Sequence, residues 1–140
     1  MAAQAGAART RSFSASYSGT ASGQVSGETA AGSASMKGRG RPIGRGTLSG
    51  SGSGTFTSST CITFSGKATL RGGRGTLKLR ARSAQACASG GGDRVSFSGR
   101  ARVVGGTATF AGARGTLSFS GTYVRSTGAA SVSFRGRITY

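Results

Sequence analysis

Hydrophobic and polar residues alternate along most of this chain. Towards the C-terminus, Val132, Phe134, Gly136 and Ile138 occupy every second position, with Ser or Arg between them. The same alternation runs through residues 13–19, 62–70, 95–103 and 117–123. A period of two is typical of a strand with one face buried and one face in solvent. The pattern therefore predicts several half-buried β-strands.

A short word, aromatic-Ser-Gly or aromatic-Arg-Gly, recurs in these strands. Its copies are Tyr17–Gly19, Phe64–Gly66, Phe97–Gly99, Phe119–Gly121 and Phe134–Gly136. In each copy the aromatic residue and the Gly lie on the inward face. Because Gly within a strand marks a bend or a close approach of another group, we expect strongly curved strands in which each Gly leaves room for a neighbouring ring.

The copies are unevenly spaced, which argues against a solenoid of fixed period and favours a meander of hairpins. Closing such a sheet removes its exposed edges. We therefore predict an all-β fold, a single antiparallel up-and-down, calycin-like β-barrel of about eight strands over residues 12–140, after a flexible tail at 1–11. We expect the following side chains to fill it: Phe13, Tyr17, Phe56, Ile62, Phe64, Leu70, Leu77, Leu79, Val95, Phe97, Phe110, Leu117, Phe119, Tyr123, Phe134 and Ile138.

One hairpin register can be tested against the cysteines. Pairing Leu70 with Leu77 leaves a loop at 72–75 and places Cys61 opposite Ala86, one position short of Cys87. A single β-bulge between Arg82 and Cys87 would bring the two sulfur atoms together. We predict a Cys61–Cys87 disulfide, and with it an oxidising compartment. Two free buried thiols are the alternative.

The segment from Gly19 to Gly54 is the least patterned. It is rich in Gly, Ser, Thr and Ala, which suits either short edge strands or a disordered arm. Within it, Gly50–Gly54 matches the letters of a nucleophile elbow but reads as a flexible strand or loop. Arg39, Arg41 and Arg45 are expected on an exposed basic loop.

Charge is strongly one-sided: the chain has 19 Lys and Arg against two acids, Glu28 and Asp93. Such an excess favours anionic partners, although a compositional bias towards Arg, Ala and Gly would produce it too. The outward positions of the predicted strands carry ladders of cations able to contact a polyanion or an anionic cell-envelope component nonspecifically. These candidates are Lys78, Arg80, Arg82, Arg100, Arg102, Arg135 and Arg137. A merely solvated cationic exterior is the alternative.

Catalytic chemistry has few residues to draw on. The chain has no His, its two acids are far apart, and the two Cys do not form a short-spaced ligand pair. We predict no catalytic residue, no metal site and no cofactor, and we favour a non-enzymatic protein. Asp93, which follows a Gly-rich loop, is expected to accept backbone N–H bonds in a turn. For Glu28 we expect a surface salt bridge with a nearby Arg.

Residues 105–115, Gly-Gly-Thr-Ala-Thr-Phe-Ala-Gly-Ala-Arg-Gly, resemble the GGTG-x-F-x-x-ARG signature of the dirigent and allene oxide cyclase barrel-like family. That resemblance implies an eight-stranded barrel, commonly trimeric, with a pocket in its mouth. Ala108 stands where the signature has Gly. The acidic residues of plant dirigent pockets have only Glu28 and Asp93 as counterparts, both outside the matched motif, so the family's activities are not carried over.

Two functions are therefore expected. The first is an exported, basic, non-enzymatic barrel that contacts polyanions or the cell envelope. The alternative is a pocketed barrel that binds or cyclises a small apolar molecule, as a homodimer or homotrimer. Its candidate pocket residues are Tyr17, Phe64, Gly66, Phe97, Gly99, Phe119, Gly121, Tyr123, Phe134 and Gly136.

Location is expected to be secreted or extracytoplasmic. The Ala-Gln-Ala-Gly-Ala stretch near the N-terminus resembles the small-residue end of a signal peptide. No apolar run is long enough to predict a transmembrane helix.

Overall fold

The computed structural model describes residues 8–140. Eight antiparallel strands in sequential order form one closed barrel, so the predicted up-and-down fold is confirmed. The strands are β1 (Thr10–Ser26), β2 (Thr29–Arg41), β3 (Gly44–Phe56), β4 (Cys61–Gly72), β5 (Gly75–Ser89), β6 (Arg94–Gly106), β7 (Arg114–Val124) and β8 (Ala129–Thr139). The first strand thus begins within the predicted tail, most of which lies outside the described residues.

The up-and-down order gives the barrel two distinct ends. Connections 27–28, 57–60, 90–93 and 125–128 lie at one end, which we call the open end. The other end, which we call the closed end, contains connections 42–43, 73–74 and 107–113 together with the outer ends of β1 and β8. Each strand therefore runs the full height of the barrel from one end to the other.

The segment from Gly19 to Gly54, for which the sequence left strands and a disordered arm as alternatives, forms regular strands. Residues of β2 pair with β1 on one side and β3 on the other without interruption, from Thr29 opposite Thr55 to Gly40 opposite Gly44. No disordered arm is present here, and the expected basic loop is not formed, because Arg39 and Arg41 lie in β2 and Arg45 lies in β3. Alternating Gly and Ser can form these strands because backbone hydrogen bonds on both sides hold them.

The hairpin of β4 and β5 has the predicted register, with Leu70 opposite Leu77. Gly72 also pairs with Gly75, so the turn itself is only Gly73–Arg74. Register shifts between Phe64 and Gly66, where Arg82 and Ser83 lie opposite Ser65. This bulge brings Cys61 opposite Cys87, and the two form the predicted disulfide.

Residues 66–79 (GKATLRGGRGTLKL) resemble residues 106–119 (GTATFAGARGTLSF) in sequence, but the two segments differ in structure. In the second copy the chain leaves β6 and forms a 3₁₀ turn at Ala108–Phe110 before β7 begins. Phe110 is fully buried there and Ala113 nearly so, and Ile43 of the β2–β3 turn at the same end is also fully buried. These residues cover the closed end from inside.

The sequence Arg-Gly-Thr-Leu occurs at residues 45–48, 74–77 and 114–117, and all three copies have the same place in the barrel. They begin β3, β5 and β7 at the closed end, and their leucines, Leu48, Leu77 and Leu117, all point into the core.

The predicted core is only half right. Nine of the expected side chains are buried, and they occupy the closed half and the middle of the barrel. The other seven are only partly buried, and all of them line the cavity described below: Phe56, Ile62, Phe64, Val95, Phe97, Phe119 and Tyr123. Side chains thus fill one half of the barrel and leave the other half hollow.

Candidate functional site: an apolar cavity and a basic exterior

The open half of the barrel encloses a cavity of about 400 Å³. Inward residues of all eight strands line it, and they are overwhelmingly apolar. Below it, Leu70, Leu77 and Leu117 are fully buried and close the barrel towards the other end. The cavity is therefore blind, with access through the open end.

Small residues on β2, β3 and β4 create this space. The inward positions that face the cavity are Ala30, Gly32, Ala34, Gly50, Gly52, Gly54, Gly66 and Ala68. A barrel of eight strands is normally just filled by its inward side chains. Where these side chains are hydrogen atoms or methyl groups, the space is left open.

The opposite wall is aromatic. Ring centroids of Phe97 and Phe119 lie 6.4 Å apart, and those of Phe119 and Phe134 lie 6.0 Å apart, so one ladder of rings crosses β6, β7 and β8. Tyr17 of β1 continues it by an edge-to-face contact with Phe134, at 6.2 Å. Rings at these separations attract one another beyond their burial, and the ladder forms a firm wall.

Two glycines of the recurring word hold this ladder in place. Gly99 lies opposite Phe119 and Gly121 lies opposite Phe97. A Cβ at Gly99 would stand 3.0 Å from Phe119 Cζ, and one at Gly121 would stand 2.5 Å from Phe97 Cζ. Each Gly thus makes room for the ring across from it, as the sequence predicts.

Six of the ten candidate pocket residues line the cavity: Phe64, Gly66, Phe97, Phe119, Tyr123 and Phe134. The other four do not. Gly99, Gly121 and Gly136 are covered by the side chains of Phe119, Phe97 and Leu117, and Tyr17 is buried in the core.

Tyr17 is unusual within the core. Its side chain is 3% exposed, and its hydroxyl group has no hydrogen-bond partner among residues 8–140. Burial raises the pKa of this hydroxyl group to about 12, because the ionised form would lose its hydration.

The mouth of the cavity is held by two crosslinks. Asp93 accepts a hydrogen bond from the Ser126 backbone N–H (2.8 Å) and another from the Ser126 hydroxyl (3.0 Å). It therefore accepts a backbone N–H bond as expected, but from the adjacent connection. The Cys61–Cys87 disulfide joins β4 to β5 at the same end. The Asp93–Ser126 hydrogen bonds and the disulfide thus join neighbouring parts of the barrel mouth, where no packed core holds the strands together.

The predicted basic ladders all lie outside the barrel, and each of their seven side chains is exposed. Strand pairing brings together three residues that the sequence leaves apart: Lys67 lies opposite Arg80, and Arg80 lies opposite Arg102. Beyond Arg102 the same row continues through Thr116 to Arg137. A second row joins Arg100 to Arg135 across Ser118.

The cations are not spread evenly along the barrel axis. All but two of the 19 Lys and Arg lie at the closed end or along the wall. The open end carries Arg94 and Arg125, together with both acids, Glu28 and Asp93. The positive charge therefore lies away from the mouth, whose outer wall is mainly Ser and Thr.

Sequence reasoning missed much of the cavity. The small residues of β2 and β3, together with Met36 and Leu48 at its inner part, fell in the segment without a clear prediction. The Gly-Ser alternation of residues 50–54 was the available signal, since Gly at every second position of a strand leaves one face without side chains. Lys67, the neighbour of Arg80, was also not counted among the anion contacts.

The motif behind the family resemblance forms the strand end and 3₁₀ turn at the closed end. Ala108, where the signature has Gly, has a φ of +54°, and the preceding Gly105 has a φ of +153°. Because both φ angles are positive, Gly is favoured at both positions. The preference for Gly in this motif therefore follows from the backbone conformation of the turn.

The chain matches no protein-family model, no curated protein and no solved structure. The class of protein defined by its fold and site is a small closed β-barrel with an apolar cavity at one end and a disulfide at its rim. Among residues 8–140, no helix is long and apolar enough to cross a membrane.

Proposed function

We propose that this protein binds a small apolar molecule inside its barrel. The observation that carries the proposal is the blind cavity of about 400 Å³ with an apolar lining. Ligand sites are typically concave, mostly apolar and a few hundred Å³ or more in volume. An apolar ligand that fits here would leave water for a preformed site, with a gain of about 25 cal/mol per Å² of apolar surface buried.

The shape of the cavity favours a ligand with a flat or slender apolar body. On one side the wall is backbone and methyl groups, and on the other it is the ring ladder of Phe97, Phe119 and Phe134. In the described part of the chain, the charged residues that border the cavity are Lys67 and Arg125. The chemistry of this lining supports holding a molecule rather than transforming it by acid–base catalysis.

Filling the cavity tests this proposal. Ala34→Phe together with Ala68→Phe adds two rings on the small-residue side, where both residues face the cavity. We expect the affinity for a neutral apolar dye, N-phenyl-1-naphthylamine, to fall about tenfold or more, since a loss of 1.4 kcal/mol already corresponds to a factor of ten. Fluorescence titration measures it. Gly99 is unsuitable for this purpose, because a larger residue there would collide with Ala84 and Phe119.

Ser35→Gln with Thr69→Gln is the matched control. Both residues follow the substituted ones in the same strands, and their side chains lie on the opposite face of the sheet. This variant should bind the dye like the parent protein. Unchanged dye affinity in a filled variant with a parent-like circular dichroism spectrum would contradict cavity binding.

As a second function we propose nonspecific contact with polyanions or an anionic cell-envelope component through the basic exterior. The row of Lys67, Arg80 and Arg102 supports it, because three exposed cations in directly paired positions can meet successive anionic groups. Apart from Lys67, which belongs to this row and also borders the cavity, the two proposed functions use different residues, and they do not exclude each other.

Charge reversal on this row tests the second function. Arg80→Glu with Arg102→Glu should weaken binding to a sulfated polysaccharide about tenfold or more at low salt and reduce the slope of log affinity against log salt concentration. Affinity chromatography over a salt series measures both. Arg94→Glu with Arg125→Glu, at the open end, makes the same change in net charge and should have much less effect. Equal losses in the two variants would mean that net charge alone drives binding.

We further propose an extracytoplasmic location. The disulfide between Cys61 and Cys87 supports it, because such bonds persist mainly in oxidising compartments. Non-reducing mass spectrometry of protein recovered from separate cell fractions would test it, since the location predicts an intact disulfide in protein outside the cytoplasm.

A further inference from the structure

The closed end of the barrel carries cations around most of its circumference. Seven of the eight strands have an exposed Arg in or beside their closed-end portion: Arg11, Arg41, Arg45, Arg71, Arg74, Arg114 and Arg137. We call these seven residues the arginine ring. Three of them, Arg45, Arg74 and Arg114, are the arginines of the Arg-Gly-Thr-Leu copies that begin β3, β5 and β7.

A ring and a row fit different partners. A linear polymer would follow one side of the barrel and contact only part of the arginine ring. A flat anionic surface that meets the barrel end-on can contact all of its members together. Because each basic residue near an anionic bilayer adds to the attraction, end-on contact with such a surface uses the available charge most fully.

An exposed apolar residue lies close to this ring. Val104, which is 52% exposed, is the extra residue of a bulge near the closed end of β6, between the pairs Lys78–Gly105 and Leu79–Val103. An exposed apolar side chain at an end of the barrel rich in arginine suits a lipid interface, where anionic headgroups lie above hydrocarbon. The large hydrophobic residues exposed in the described chain are Val25 and Val104, and neither offers a ring on which a nucleic acid base could stack.

We propose that the closed end docks on an anionic lipid bilayer, with the arginine ring against the headgroups, Val104 at the interface and the cavity mouth facing away. This inference rests on the second proposed function and names its partner and its orientation. The open end, which carries as many acidic as basic residues and Ser- and Thr-rich walls, has no comparable attraction to the surface. The cavity therefore stays accessible from the aqueous side while the protein is docked.

Vesicle co-sedimentation tests the proposal. Intact protein is mixed with vesicles of equimolar phosphatidylglycerol and phosphatidylcholine, or of phosphatidylcholine alone, at several salt concentrations. We expect binding only to the anionic vesicles, weakened by salt. Arg45→Glu, Arg74→Glu and Arg114→Glu together should reduce the bound fraction at least about tenfold. The matched control, Lys37→Glu with Arg94→Glu and Arg125→Glu, reverses three exposed residues outside the arginine ring and the basic rows with the same change in net charge, and should retain most of the binding.

Val104→Ser adds a second measurement. This variant should bind anionic vesicles severalfold more weakly than the parent and should bind a soluble sulfated polysaccharide equally well. An equal effect of the ring reversal and its control would overturn end-on docking. Binding to the polysaccharide with none to anionic vesicles would overturn the bilayer as partner and leave the second proposed function standing, whereas binding to neither would remove both.

Discussion

At the scale of single residues, the inward or outward direction of a side chain follows directly from its position in the alternation. Phe97 and Gly121 face each other across β6 and β7, and both face inward, as their positions in the repeated word predict. What a position cannot show is whether an inward ring meets other side chains or an empty space. Phe13 is packed in the core while Phe97 lines the cavity, although both belong to the same kind of strand pattern.

Tyr17 gives a prediction at this scale. Because its buried hydroxyl group makes no hydrogen bond, Tyr17→Phe should leave the free energy of unfolding unchanged or raise it by up to ~1 kcal/mol. Urea denaturation at neutral pH measures this. A loss of more than ~1 kcal/mol would mean that the hydroxyl group does have a partner in solution.

The pKa of Tyr17 adds a pH dependence to that comparison. In the unfolded chain this hydroxyl group ionises near pH 10, whereas in the folded protein its pKa is about 12. Between these values the folded state holds the proton more tightly, so stability is fully present below pH 10 and falls as the pH rises towards 12. The parent protein should lose on the order of 2 kcal/mol more than Tyr17→Phe over this range. If the free energies of unfolding of the parent protein and Tyr17→Phe fall equally from pH 9 upwards, the assignment of this pH dependence to Tyr17 is contradicted.

At the scale of elements, prediction succeeded where large apolar residues alternate with polar ones. The hairpin of β4 and β5 and its disulfide could be derived from Leu70, Leu77 and the two cysteines. For β2 and β3 it left strands and a disordered arm as alternatives, since Gly and Ala have low β-propensity and a glycine-rich strand is hard to distinguish from a loop. These strands are held by neighbours on both sides, and no local pattern encodes that support.

The disulfide leads to a prediction for this hairpin. Cys61 and Cys87 are 26 positions apart, and closing a loop of this length constrains the unfolded chain by ~3–4 kcal/mol in the chain-entropy model. Cys61→Ser with Cys87→Ser should therefore lower the free energy of unfolding by about that amount in urea denaturation. Since the bond lies at the hollow end, hydrogen exchange should also accelerate first in the open halves of β4 and β5. Uniform acceleration throughout the barrel would show that the bond has no local role at the rim.

At the scale of the whole molecule, charge is the dominant feature. The formal net charge is +17, and paired positions bring like charges together, as with Arg39 opposite Arg45 and Arg80 between Lys67 and Arg102. Like charges directly opposite in a sheet are destabilising. The fold therefore tolerates a repulsion that an anionic partner or dissolved salt would relieve.

We accordingly expect the thermal unfolding midpoint to rise by several degrees as sodium chloride increases from about 10 mM to 500 mM, because the screening length falls severalfold over this range. Differential scanning calorimetry measures it. Arg80→Glu, which places an acid between Lys67 and Arg102, should raise the midpoint at low salt and reduce its dependence on salt. A midpoint that does not respond to salt would indicate that the like-charged pairs are already too well hydrated to matter.

The sequence by itself determined the fold class, the inward and outward faces of the aromatic strands, the disulfide pairing and the excess of positive charge, because each depends on spacing or composition within a strand or a hairpin. Tertiary structure alone decided that side chains fill only half of the barrel. The volume left open by Gly50, Gly52 and Ala68 depends on what lies across the barrel, and that distance is set by how all eight strands close. The tertiary structure also decided where the charge lies, since strands that alternate in direction bring arginines from distant parts of the chain to the closed end and leave only Arg94 and Arg125 at the mouth of the cavity.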